Sequence, residues 1–214
     1  HQDPAKCVAM HNAVYPLDSD IQAIIAQRRP LEERKERVVT FLGRITMQKG
    51  PEYFVEAAAL VLKRTRNIRF SGSGDMMEAM IDLAAQRGIA DRFHFPGFMK
   101  GRQVYEIFRD SDVYVMPSVS EPFGISPLEA MQCGVPSIIS YQSGCAEILD
   151  KCIKTDYWDI EAMADAMYSI CTNEGLYRYL QEEGKKEVDA ITWEKVGHRI
   201  RRCYDETIAN FYRR

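Results

Sequence analysis

The stretch Glu121–Cys133, EPFGISPLEAMQC, holds two carboxylates, Glu121 and Glu129, with a Pro122-Phe123-Gly124 turn between them. The turn follows an apolar run, Val113-Tyr114-Val115-Met116, and a short helix is predicted to begin after it. Backbone N–H groups at a helix start lack intrahelical partners and sit at the positive end of the dipole, so they favour an anion. Carboxylates on either side accept hydrogen bonds from hydroxyls. A ligand that combines phosphate with hydroxyls, such as a nucleotide sugar, suits this arrangement. Two plainer readings stand beside it. Ser126-Pro127-Leu128-Glu129 also has the form of a capping box, with Ser126 at N-cap, Pro127 at N1 and Glu129 at N3. Glu121 before a turn also fits an ordinary surface residue.

Other residues could serve the same ligand. Arg44 and Lys49 follow the run Val38–Leu42, which Gly43 closes. A planar guanidinium and a compact ammonium both suit a diphosphate, although two solvated loop cations would look the same. The Gly43-to-Lys49 spacing is not a P-loop, because no Gly-Lys-Ser/Thr order is present. Gly72-Ser73-Gly74 permits close backbone approach, but Met77 stands where a dinucleotide fingerprint has its third glycine. Asp110-Ser111-Asp112 has the look of a metal-holding carboxylate pair. It falls at the start of a strand, where a helix end meeting a strand start is the simpler account. His94 is expected to pack inside a strand, and no histidine has the neighbours of a triad. Met76, Met77 and Met80 read as core filler. No metal is expected.

Composition narrows the classes. The chain has 214 residues, 46% of them apolar, and a net charge of −3. That is enough to bury a sizeable core and gives no basic field for nucleic acid. No apolar run is long enough to span a membrane, and no leader-like start is visible. The six cysteines show no paired close spacing, which favours a reducing cytoplasm over a zinc site or disulfide framework.

These residues need elements to hold them. Strands are expected at Val38–Leu42, Ile68–Phe70, Phe93–Phe95, Val113–Met116 and Pro136–Ser140. Helices are expected over about 51–64, from Met77 to Gly88, around Val104–Phe108 and after Ile125. The segment 18–36 reads as a helical excursion or linker broken by Pro30, and from about 158 onward the chain turns helical. Alternation of this kind predicts an α/β fold, a Rossmann-like doubly wound parallel sheet with C-terminal helices. Its ligand edge lies at the carboxyl ends of the strands. Gly43-Arg44, Gly72–Gly74, Gly97-Phe98, Ser118–Gly124 and Ser140–Gly144 all fall on that edge.

Taken in order, GRITMQKG (43–50), GSGD (72–75), FHFPGFM (93–99), SDVYVMPSVSEPFGISPLEAM (111–131) and GVPSIISYQSGCAEIL (134–149) resemble the C-terminal domain of retaining GT-B glycosyltransferases. These are the group 1 enzymes, relatives of glycogen and sucrose synthases, and Glu121 and Glu129 match their E-x7-E signature. The resemblance implies residues 1–36 as interdomain linker, with HNAV at 11–14 its trace. It implies 37–190 as the nucleotide-sugar-binding domain, 191–214 as a C-terminal crossover helix, and an N-terminal acceptor domain absent from this chain. It implies that Arg44 and Lys49 meet the donor's distal phosphate, in place of a metal, and that Gly43, Gly72 and Gly74 admit the donor. Phe98 would lie by the base, and backbone N–H groups at Phe123, Gly124 and Ile125 would meet sugar and phosphate. Glu129 would hold the ribose and Glu121 would lie by the transferred sugar.

The implied activity is transfer from a UDP-, ADP- or GDP-linked sugar to a carbohydrate or lipid-linked acceptor, with retention of configuration and without a cofactor. The isolated piece is expected to be inactive. The implied location is cytoplasmic, the full-length enzyme being compatible with peripheral membrane attachment. Alternatives are a nucleotide-sugar epimerase on the same plan, a noncatalytic nucleotide-binding module, and a nicotinamide-dependent oxidoreductase, which the missing third glycine disfavours.

Overall fold

The structure is a computed structural model that describes residues 7–43, 46–73 and 77–212. Six parallel strands form one sheet: β1 (Arg37–Leu42), β2 (Ile68–Ser73), β3 (Phe93–His94), β4 (Val113–Met116), β5 (Ser137–Ser140) and β6 (Ile153–Thr155). Their spatial order is β3-β2-β1-β4-β5-β6. The order reverses between β1 and β4, where Val39 stands beside Val113 and Thr40 beside Tyr114. In an open parallel sheet the crevice at such a reversal, outside the carboxyl ends of the strands, is where ligands bind.

The central strands alternate their side chains between two apolar layers, as strand geometry requires. Val113, Val115 and Ile138 point into one layer with Phe41, Phe54 and Phe70. Tyr114, Met116 and Ile139 point into the other with Phe108, Leu128 and Met131. Helices cover both faces. On the first, α2 (Pro51–Arg64) packs beside α6 (Ile160–Thr172), with α3 (Met77–Gln86) next to α2. On the second, α5 (Ser126–Gln132) packs against α7 (Glu174–Asp189), and α1 (Ser19–Ala26) against α4 (Arg102–Asp110). Because both faces are covered, the central strands are uniformly buried.

Several expectations are met and others corrected. Asp18 caps α1, accepting from the Ile21 N–H at 2.9 Å. Thr192 faces the Lys195 N–H at 3.4 Å, at the start of α8 (Trp193–Tyr212). One face of α8 is exposed through Ile200, Tyr204, Ile208 and Phe211. β2 is longer than expected, running three residues beyond Phe70 and pairing with β1 along its whole length. β3 ends at His94, one residue short of Phe95. His94 is exposed rather than packed, because β3 is the outer strand of the sheet. β6 was not foreseen.

The Asp110–Asp112 motif lies at the amino end of β4, away from the ligand edge, as expected. Asp112 is fully buried there and accepts from Arg34 Nη1 at 2.5 Å and from the Val38 N–H at 2.8 Å. It ties the segment before β1 to the central strand.

Candidate active site

Lys49 closes a short 3₁₀ turn, Met47–Lys49, and α2 begins two residues on. Gly50 joins the two in a left-handed conformation at φ 62°. A Cβ there would stand 2.3 Å from the Pro117 carbonyl oxygen, so glycine is required both for the turn and for its approach to the end of β4. The Gln48 carbonyl accepts from the Val119 N–H at 2.9 Å. The β1 and β4 exits are thereby locked together across the reversal point. Beneath them the Tyr114 hydroxyl donates to the Leu42 carbonyl at 3.0 Å, and burial pushes that phenol's pKa well up.

Glu121 is held by its backbone. Its N–H donates to the Gln142 carbonyl at 3.2 Å, and its own carbonyl accepts from Gly144 at 2.9 Å. The Cys145 N–H then donates to the Phe123 carbonyl at 2.7 Å. A Cβ on Gly144 would sit 2.1 Å from the Pro122 oxygen, so the two loops touch backbone to backbone. Gly124 sits at φ 92°, where a Cβ would meet Met116 and Glu121. With the main chain fixed, the Glu121 carboxylate forms an ion pair with Lys49 Nζ. The side chains are only 13% and 20% exposed, so the pair sits partly out of water at the mouth of the crevice.

The capping box does not form. Ile125 already has helical angles, φ −76° and ψ −34°, and serves as N-cap with no side-chain bond. Ser126 is therefore the first residue inside the helix rather than its cap. Glu129, one position too far along, caps nothing. Glu129 lines a cavity of about 530 Å³ together with Tyr15, Asp18, Arg102, Tyr105, Ile125 and Trp193. Burial raises its pKa, and no cation among the described residues is paired with it.

A raised folded pKa has a definite sign. Folding favours the protonated carboxyl, so the stability it confers is complete below the ordinary carboxylate pKa and is lost as pH rises through the folded value. Glu129→Gln should accordingly melt above the parent at neutral pH. The two melting curves should converge below about pH 4, where the carboxyl is protonated in both states. Thermal unfolding across that pH range checks this.

The other anticipated residues fall as follows. Gly43 ends the β1 exit, with an open position where a Cβ would be. Gly72 lies inside β2, where a Cβ would meet Met80 at 3.1 Å and Phe95 at 3.5 Å. Phe98 is exposed on the β3–α4 loop, Ile125 is exposed at the start of α5, and Phe123 is buried. Arg44 and Gly74 lie outside the described residues. The sequence reading missed Gly50, and it placed Gly144 on the ligand edge without its close approach to Pro122. The Gly50-Pro51 and Ser143-Gly144 pairs after strand runs were the available signal.

A paired cation and carboxylate at the reversal point, with a second, unpaired carboxylate on the following helix, can bind an anion and hydroxyls together. Comparison with known proteins places the chain in a family. The profile of the family "Glycosyl transferases group 1" matches residues 24–187. An uncharacterized glycosyltransferase of Methanocaldococcus jannaschii is 31% identical over 202 residues, 89% of this chain and 52% of the relative. Sucrose-phosphate synthase from Thermosynechococcus elongatus superposes with a TM-score of 0.72 at 25% identity, over 92% of this chain and 50% of the synthase. An Anabaena protein, HepE, solved with UDP and glucose, gives a TM-score of 0.74 at 18% identity, over 94% of this chain and 56% of that one. The chain spans about half the length of these relatives. By profile, sequence and fold together, it belongs to the group 1 glycosyltransferases and has the Rossmann-like architecture of a GT-B domain.

Proposed function

We propose that this chain is the donor-binding half of a retaining glycosyltransferase that takes its sugar from a nucleoside diphosphate. The observation that carries the reading is the Lys49–Glu121 pair at the β1/β4 reversal, partly buried and fixed from both sides by backbone bonds. In this reading Lys49, with Arg44, exchanges its carboxylate partner for the distal phosphate when donor binds. It then stabilises the charge that builds on the leaving diphosphate, so no metal is needed for that task. Glu121, released from Lys49, lies by the transferred sugar. Glu129 accepts from the ribose hydroxyls; that contact favours the ionised carboxylate and offsets the cost of burying it. Backbone N–H groups of Phe123, Gly124 and Ile125 serve sugar and phosphate. Phe98 lies by the base, and the glycines at 43, 72 and 74 admit the donor. UDP and glucose in the Anabaena relative support a donor of this kind.

Most of the acceptor site then belongs to a second domain, and this chain alone binds nucleotide without transferring sugar. The test is the product of the full-length enzyme. NMR of the new glycosidic linkage should show the donor's anomeric configuration kept, and an inverted linkage would reject the retaining assignment.

A further inference from the structure

At the ends of β5 and β6, beside the Lys49–Glu121 pair, three aromatic rings form a row that the donor reading does not use. Tyr53 lies 5.2 Å from Tyr157 between ring centroids, at 63°, and Tyr157 lies 4.8 Å from Trp158, at 85°. Trp158 is 55% exposed. A polar rim adjoins the row. Asp156 accepts from Gln142 Nε2 at 2.9 Å, and Gln142 Oε1 is buried without a hydrogen-bond partner. The row connects to the transfer site at two points. Tyr53 packs against Gly50, directly after Lys49. The Gln142 carbonyl holds the Glu121 N–H.

We propose that Tyr53, Tyr157 and Trp158, with Asp156 at their rim, form a second carbohydrate subsite that holds a sugar unit of a saccharide acceptor beside the transfer site. The proposal rests on the donor reading for its place in the reaction but on separate residues for its chemistry. One face of a pyranose is lined with C–H groups, and an aromatic face is electron-rich, so the two pack while water is displaced. The near-perpendicular contact between Tyr157 and Trp158 sets edge against face and leaves indole surface open. The sugar's hydroxyls then need acceptors at the margin of the stack, and the second oxygen of Asp156 offers one. An aromatic row with a carboxylate margin suits a saccharide better than an anion, since no cation of the described ion pairs lies in it. Because it adjoins the Lys49–Glu121 pair through Gly50 and Gln142, a sugar held there lies next to the transfer site.

The chain contains two tryptophans, Trp158 and Trp193. In Trp193→Phe the emission of Trp158 alone reports on the row. Maltose, cellobiose and diacetylchitobiose are titrated against it, with glycerol as control, and the indole N–H resonances of the unaltered chain give the same readout without substitution. UDP binding is measured in parallel by calorimetry. The expected result is a saturable change with at least one disaccharide, lost in Tyr157→Ala and kept in Lys49→Ala. No change with any of the three, a change equal to that with glycerol, or a change that survives Tyr157→Ala would overturn the subsite. UDP binding in a chain blind to all three sugars would leave the donor reading standing without it. Sugar binding in a chain blind to UDP would leave the subsite standing and count against the donor reading.

Discussion

Asp112→Ala is expected to cost about 3–5 kcal/mol of stability, the usual penalty for breaking a buried ion pair from one side. At about 2–4 °C per kcal/mol for a chain of this size, the unfolding midpoint should fall by roughly 6–20 °C. The reason is geometric. Asp112 is 1% exposed and Arg34 10%, so truncation strands a guanidinium that water reaches poorly. The Val38 N–H, which donates to the other carboxylate oxygen, loses its partner at the first turn of the central pairing. Asp112→Asn keeps an acceptor but not the charge and should lose less. Added salt should rescue neither, because the pair is screened from solvent. Asp112 lies at the amino end of β4, so nucleotide affinity of the folded variant should be unchanged. Thermal unfolding with calorimetry at a permissive temperature separates the two effects.

Lys49→Ala is expected to weaken UDP binding about 10- to 100-fold, corresponding to about 1.5–3 kcal/mol for hydrogen bonds made by a charged donor. In the full-length enzyme turnover should fall further, by about 10²–10³, because charge on the leaving diphosphate is greatest in the transition state. Glu121→Gln should divide these quantities differently. It keeps the loop bonds that Gln142 and Gly144 make to the backbone of residue 121, so nucleotide affinity should hold while turnover drops. If Lys49 served only to neutralise Glu121, both variants would lower the melting temperature and leave UDP affinity intact. Calorimetric affinity and turnover of both variants decide between these outcomes.

The parts of the fold legible in sequence are those where local pattern and tertiary environment agree. Val113–Met116 and Pro136–Ser140 are short apolar runs between turn residues, and both become central strands. β6 is three residues long, Ile153–Thr155, and carries a lysine. As an outer strand its pattern is half polar, and nothing local distinguishes it from a loop. The Ser71-Gly72-Ser73 run predicts that β2 ends at Phe70, because glycine is a poor strand former. Its pairing with Phe41 and Leu42 of β1 carries it on to Ser73, a tertiary override of propensity. The capping-box pattern at Ser126–Glu129 is out of register by a single residue, and Ile125 in helical angles decides against it.

The site was legible as a set of loops on one edge. Which side chains meet was not, because Lys49 and Glu121 are separated by 72 positions in the chain. The backbone contact of Gly144 with Pro122 is equally nonlocal. It follows from where β4 and β5 end, not from either loop's composition.

The most direct test of the donor site is calorimetric titration of this chain with UDP, ADP, GDP and NAD, in the parent and in Lys49→Ala. The account predicts saturable one-to-one binding of a nucleoside diphosphate that Lys49→Ala weakens, with no binding of NAD. Binding of NAD alone, or nucleoside diphosphate affinity that is the same with and without Lys49, would contradict it.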